Sequence, residues 1–97
     1  MAEVKWSDAA ILDVFEIGEF ISQGSPIMAG VFTNGILDAG DSLKNNPKRG
    51  RIIPEIGDEA AREIFYGSYR IMYNIADKGI EIVAVIHGAR DFNPHNT

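Results

Sequence analysis

Hydrophobic and polar positions fall into three blocks with different periods. A short alternating run at residues 2–6 places Val4 and Trp6 on one side and predicts a strand. From Asp8 to Ser22 the period becomes helical. Asp13, Glu16, Glu19 and Gln23 form a narrow polar stripe, and almost everything else is apolar, including Ile11, Val14, Phe15, Ile17 and Phe20. So wide an apolar face predicts a helix contacted on more than one side. Ser7 suits its N-cap and Asp8 its first turn. Gln23–Gly24–Ser25–Pro26 then ends one helix and starts another, with Gly24 past the end, Ser25 as N-cap and Pro26 at the first helical position.

The second helix is expected to run to about Lys44, with Met28, Phe32, Ile36, Ala39 and Leu43 on its inner stripe. Gly30, Gly35 and Gly40 each cost about 0.5–1 kcal/mol there relative to alanine. Either tertiary packing holds this helix, or the glycines admit a close neighbour. The stretch Asn45–Asn46–Pro47–Lys48–Arg49–Gly50 is a break. The remainder alternates with period two: residues 61–66, a Gly67–Ser68 turn, residues 69–75, a turn at Asp77–Lys78–Gly79, and residues 80–87, rich enough in Ile and Val for a central strand buried on both faces. Residues 92–97 form a polar tail. The order strand, helical hairpin, then antiparallel strands defines an α+β fold in a single domain spanning residues 1–97, with the hairpin on one face of the sheet. Trp6, Phe15, Phe32, Ile71 and Val83 are expected in the core, and Phe32→Ala is expected to prevent accumulation of folded protein.

Composition narrows the chemistry. The chain has 97 residues and no cysteine, which removes disulfides, thiolate metal sites and cysteine nucleophiles. No apolar run reaches the ~20 residues of a membrane span, so a cytoplasmic protein with no membrane partner is expected. The net charge is −5, all of it carried by residues 1–46, and every arginine lies in the second half. A broad basic field for nucleic acid is therefore absent, and sequence-specific DNA binding by the chain alone is not expected. Two histidines eight residues apart, His87 and His95, make no metal motif, and no cofactor or metal is expected. Arg62, Arg70 and Arg90 could hold phosphates bidentately on the sheet face away from the helices. Glu63, Glu81 and His87 are the general-base candidates, none with a partner visible in sequence. His87 also fits as a neutral, hydrogen-bonded residue ending a buried strand.

Four stretches resemble the RelE/ParE superfamily of type II toxins: VKWSDAAILDVFEIGEFIS, NNPKRGRIIPE, REIFYGSYRIMYNI and IEIVAVIHGARD. The most specific pieces are P-x-x-G-R-x-x-P-E at 47–55, Y-R-I-x-Y at 69–73 and H-G-A-R-D at 87–91, and the likeness covers about residues 3–91. It implies an N-terminal strand, a helical hairpin and a curved antiparallel sheet, matching the order read from periodicity. It also implies two possible activities. RelE-like members cleave mRNA in the ribosomal A site with arginines, lysines and often a C-terminal Tyr or His. ParE-like members block DNA gyrase. Arg70 matches the arginine of the family's Y-R strand and Arg90 the arginine after the last strand. No lysine pair ends the second helix beyond Lys44 and Lys48, and no tyrosine follows Arg90, which favours the ParE-like branch or an attenuated toxin acting in an antitoxin repressor complex. Arg70, Arg90 and His87 are the catalytic candidates should the chain be a ribonuclease. The resemblance implies a cognate antitoxin, and the apolar residues Ile17, Phe20, Ile27 and Val31 are its expected contacts.

Overall fold

Ser7 organises the junction of the first two elements. In the computed structural model, which describes residues 2–89, its hydroxyl accepts from the Ala10 N–H at 3.0 Å and so caps a helix α1 at Asp8–Ser22. Its own N–H donates to the Ile82 carbonyl at 2.9 Å, tying that helix to the last strand. Strand β1 is Glu3–Trp6. Helix α2 follows at Pro26–Asp41, its Ser25 hydroxyl accepting from the Met28 N–H at 3.2 Å. The α-helix stops at Asp41, short of Lys44, and continues as a 3₁₀ turn at Ser42–Asn45 and a second at Pro47–Arg49. Four further strands complete the chain: β2 Arg51–Ile52, β3 Ala61–Tyr66, β4 Tyr69–Ala76 and β5 Gly79–His87. The two-residue β2 has too few positions to show any period, and the sequence reading missed it.

The five strands form one sheet in the order β1-β5-β4-β3-β2. The neighbour of β1, left open by the sequence, is β5, and the pairing is parallel, with Glu3 opposite Gly79 and Trp6 opposite Ile82. All other pairs are antiparallel. Gly79 was read as part of a turn. It instead opens β5, where an added Cβ would collide with the Glu3 backbone, so its missing side chain admits β1. Between β4 and β5 the register slips at Met72/Tyr73. Val83 is the extra residue, so Ile82 and Val85, three apart, both reach the helix face.

The main core lies between hairpin and sheet: Ala10, Val14, Ile36, Leu43, Ile71, Tyr73, Ile80, Ile82 and Val85 are buried there. A smaller cluster of Ile53, Ala61 and Met72 sits on the opposite face, with Val83, Ala84 and Ile86 packed beside it. Gly40 settles the question of the helical glycines. A Cβ there would strike the Trp6 ring and stand 2.7 Å from Ile82 Cδ1, and one at Gly35 would strike the Tyr66 hydroxyl. Two of the expected core residues are only half-buried: Trp6 leans on the core, and Phe32 makes edge contacts with Tyr66 and Tyr69 at 5.7 and 6.3 Å. Phe15 is 63% exposed. The apolar face of α1 is wider than the sheet it covers, and periodicity alone does not say which part of that face turns inward. Ile71 is fully buried, and Val83 packs on the second cluster.

Candidate functional site

Two surfaces qualify for chemistry or recognition: the sheet face away from the helices, and the outer face of the hairpin. On the sheet face, Glu63 of β3 and Arg70 of β4 are buried, 1% and 4% exposed. Arg70 Nε donates to Glu63 Oε1 at 2.6 Å, while its Nη1 and Nη2 donate to both oxygens of Glu55 at 2.9 and 2.8 Å. Arg51 Nε donates to Glu63 Oε2 at 2.7 Å and its guanidinium lies over the Phe65 ring, 5.1 Å from the centroid. The bidentate pairing with Glu55 and the bond to Glu63 raise Arg70 above the ordinary arginine value against the opposing effect of burial, so the group stays cationic throughout. Glu55 sits on the loop following Ile53, whose N–H donates to the Ala61 carbonyl at 3.0 Å, and the Arg70 fork holds that loop against the sheet.

Arg62 is not part of this cluster. It pairs across strands with Tyr73, on the helix side of the sheet, whereas Arg70 pairs with Phe65 on the other side. Its guanidinium donates to the carbonyls of Glu59 at 2.8 Å and Gly50 at 2.9 Å and so ties down two loops. The expected arginine triad is therefore not assembled: Arg62 and Arg70 lie on opposite faces, and Arg90 and His95 fall outside the described residues. The turn makes this legible in hindsight. A two-residue loop at Gly67–Ser68, with Gly67 at φ +58°, fixes Tyr66 opposite Tyr69 and hence Arg62 opposite Tyr73.

The general-base candidates are also dispersed. Glu63 is buried between two guanidinium groups, and Glu81 is exposed opposite Lys5 and Asn74. His87 is exposed at the end of β5; it meets Tyr69 edge-on at 5.7 Å and accepts from the Ala89 N–H at Nδ1. Among the described residues no group of three His, Cys, Asp or Glu side chains could hold a metal, and no helix is long and apolar enough to cross a membrane.

Two internal polar links went unread in the sequence. Asp13 was assigned to the solvent stripe of α1, yet its carboxylate accepts from the Val85 N–H at 2.9 Å, beyond the point where β1 ends. Tyr73 is fully buried; its hydroxyl accepts from the Gly50 N–H at 3.0 Å and donates to the Pro47 carbonyl at 2.6 Å. Burial pushes this phenol above its usual value, against the Gly50 hydrogen bond and the positive charges of Arg62 and Arg49.

The outer face of the hairpin is apolar and open. Phe20, Ile27 and Val31, three of the four expected antitoxin contacts, are 70%, 80% and 52% exposed; the fourth, Ile17, turns inward onto the core. Beside them a groove of about 420 Å³ runs between α1 and α2, lined by Ile11, Val14, Phe15, Ala29, Gly30 and Leu37 among others. An exposed apolar surface of this kind is a candidate recognition site.

Known proteins share this architecture. Toxin RelE2 of Caulobacter vibrioides is 34% identical over 90 residues, which cover 93% of this chain and 99% of that protein. Among solved structures, a chain of the chromosomal ParDE toxin–antitoxin system from P. aeruginosa superposes with a TM-score of 0.74 at 18% identity, covering 90% of this chain and 96% of that one. A chain of the RelBE2 toxin–antitoxin complex from Mycobacterium tuberculosis gives 0.62 at 19% identity, covering 89% and 96%. At such identities the two structures speak to the fold. The family described as ParE toxin of type II toxin-antitoxin system, parDE, matches residues 4–92. A match over that span, joined to a relative aligned over 99% of its own length, means that the chain belongs to the ParE toxin family of type II toxin–antitoxin systems.

Proposed function

We propose that this toxin arrests growth by protein contact with DNA gyrase in the cytoplasm, and that a cognate antitoxin neutralises it by covering the hairpin. The observation that carries this reading is the commitment of Arg51, Arg62 and Arg70 to partners within the chain. Arg70 and Arg51 are bonded to carboxylates of the same chain and Arg62 to its carbonyls. At the buried Arg70 a phosphate ligand would have to displace those partners, whereas the apolar hairpin is already presented to solvent. A standard protein interface takes about 800 Å² from each partner, and such faces are rich in aromatic and aliphatic anchors. Phe15, Phe20 and Ile27 supply them here.

Gyrase supercoiling with purified toxin tests the target. Supercoiling is expected to fail while mRNA on translating ribosomes stays intact. Normal supercoiling together with cleavage in the ribosomal A site would replace this reading with a ribosome-dependent endoribonuclease, the alternative favoured by the name of the Caulobacter relative.

A further inference from the structure

Charge is segregated along the chain. Residues 8–41 hold six acids and no lysine or arginine, whereas residues 42–54 hold Lys44, Lys48, Arg49 and Arg51 and no acid. The basic stretch starts beside β1, where the Lys44 carbonyl accepts from the Ala2 N–H at 3.2 Å, and ends in β2 at the opposite edge of the sheet. Arg51 and Arg70 are neutralised by carboxylates of the same chain. Among the described residues, Lys44, Lys48, Arg49 and Arg62 make no ion pair. Arg49 donates to the Ser42 hydroxyl at 3.0 Å and Arg62 to main-chain carbonyls, all neutral acceptors. Lys44, Asn45, Asn46, Lys48 and Arg49 are exposed.

The backbone beneath these cations is held from several sides. The buried Tyr73 hydroxyl bridges the Pro47 carbonyl and the Gly50 N–H. Arg62 Nη1 donates to the Gly50 carbonyl at 2.9 Å and reaches the Lys48 carbonyl at 3.4 Å. Gly50 permits this approach, since a Cβ there would stand 2.6 Å from both the Glu63 carbonyl oxygen and the Tyr73 hydroxyl. Cations carried on a fixed backbone lose less freedom on meeting an anion than cations on a mobile loop. Arg49 and Arg62 already act on the Tyr73 phenol as positive charges. At the ~2.0 Å rise of a 3₁₀ turn, the chain from Lys44 to Arg51 covers about 14 Å, close to about four phosphate spacings along one DNA strand.

The composition of the strip chooses between an acidic protein and a nucleic acid. Protein interfaces surround an apolar centre with charge. Residues 44–51 present no exposed apolar side chain, and Pro47 is half-buried. Lysines, arginines and asparagines without an apolar centre are the set that contacts phosphates. We propose that the strip Lys44–Arg51, with Arg62 behind it, holds the phosphate backbone of duplex DNA without regard to sequence, and that it acts on DNA carried by the gyrase target. The second half of the proposal rests on the gyrase reading above; the first half does not. The acidic hairpin repels DNA, so the strip binds weakly alone, and a target that already holds DNA supplies the local concentration that makes the contact effective.

The test is fluorescence anisotropy of a labelled DNA duplex titrated with the full chain. Contacts to about three or four phosphates should cut the affinity about 40–150-fold between about 50 and 200 mM salt. Lys44→Ala and Lys48→Ala replace exposed side chains and should stay folded. Each should weaken binding about 5–15-fold at the lower salt, alike for every duplex sequence, and reduce the salt slope by about one. Lys78→Ala, in the turn between β4 and β5, is the control and should leave the affinity unchanged. In a second arm the toxin is titrated into gyrase with and without bound duplex. Wild type should bind the DNA-loaded enzyme more tightly, and the double variant Lys44→Ala/Lys48→Ala should lose that gain alone. No duplex binding at the lower salt, or unchanged affinity in the double variant, would overturn the strip. Polyglutamate that competes as well as DNA would reassign it to an acidic protein, and tighter binding of single-stranded RNA than of duplex would reassign it to RNA; either result overturns the proposal. Equal affinity for gyrase with and without DNA would overturn its second half. Duplex binding by a toxin that does not bind gyrase would overturn the gyrase reading and leave the strip standing.

Discussion

Arg70→Met is expected to destabilise the fold, and the size of the effect follows from what it strands. Glu63 has no solvent access through its side chain and accepts from Arg70 at 2.6 Å. Removing one partner of a buried ion pair costs about 3–5 kcal/mol, because the remaining charge is left without compensation. Two details place the loss at the lower end. Arg51, itself 56% exposed, still bonds to the other Glu63 oxygen, and Glu55, at 24%, can turn to water. A loss of about 3 kcal/mol in a domain of this length lowers the melting midpoint by ~12–24 °C. The double variant Glu63→Met/Arg70→Met removes both charges and should recover a large part of that loss, giving a coupling energy of ~1–3 kcal/mol in the cycle. Urea and thermal unfolding of the four proteins measure it. An Arg70→Met midpoint within about 3 °C of wild type, or additive losses in the double variant, would refute the reasoning. The consequence reaches into toxicity assays. A non-toxic Arg70→Ala variant reports on folding before it reports on any phosphate contact, and Arg51→Ala is the better probe of the exposed cation.

Tyr73→Phe should cost ~1–3 kcal/mol at neutral pH by leaving the Gly50 N–H and the Pro47 carbonyl unpaired. The phenol's raised value means that the folded state keeps its proton where the unfolded chain loses it; this contribution is complete below pH 10, disappears as pH rises through the folded value, and should therefore shrink the gap between wild type and Tyr73→Phe in urea melts taken between neutral and strongly alkaline pH. Gly79→Ala should push β1 off β5 by forcing a methyl group against the Glu3 backbone, which hydrogen exchange would register as faster exchange across Glu3–Trp6 while β3 and β4 keep their protection.

Local chemistry carried most of the architecture. Ser7, Ser25 and Pro26 mark both helix starts at the residues where the structure places them, and the alternation of Tyr69, Ile71 and Tyr73 gives the inner face of β4 correctly. What escaped was set by partners distant in sequence. The polar stripe of α1 places Asp13 in solvent, and only the end of β1 against β5 creates the unpaired N–H that draws it inward. The slip at Val83 breaks the period of β5 without leaving a mark in residue type. Phe15 and Phe32 look like core by size, yet the inner sheet surface is already filled by Tyr73, Leu43 and the isoleucines. The arginines read as a binding cluster because residue type signals a guanidinium's chemistry while only the fold reveals the carboxylates beside it.

The parallel seam between β1 and β5 also sets when the toxin can exist. The Ser7 hydroxyl reaches the Val83 carbonyl across 76 positions, and Asp13 reaches Val85 across 72. Contacts of such separation slow folding, since the chain must close a long loop before any of them forms. A ribosome adding ~5–20 residues per second takes about 5–20 s over this chain, and the seam cannot form until its last stretch has emerged. Through that interval the acidic hairpin is present without the strand that anchors it, its apolar faces uncovered. The nascent chain is therefore most exposed to misassociation before its sheet is complete, and any partner that recognises the hairpin would meet it before the finished sheet.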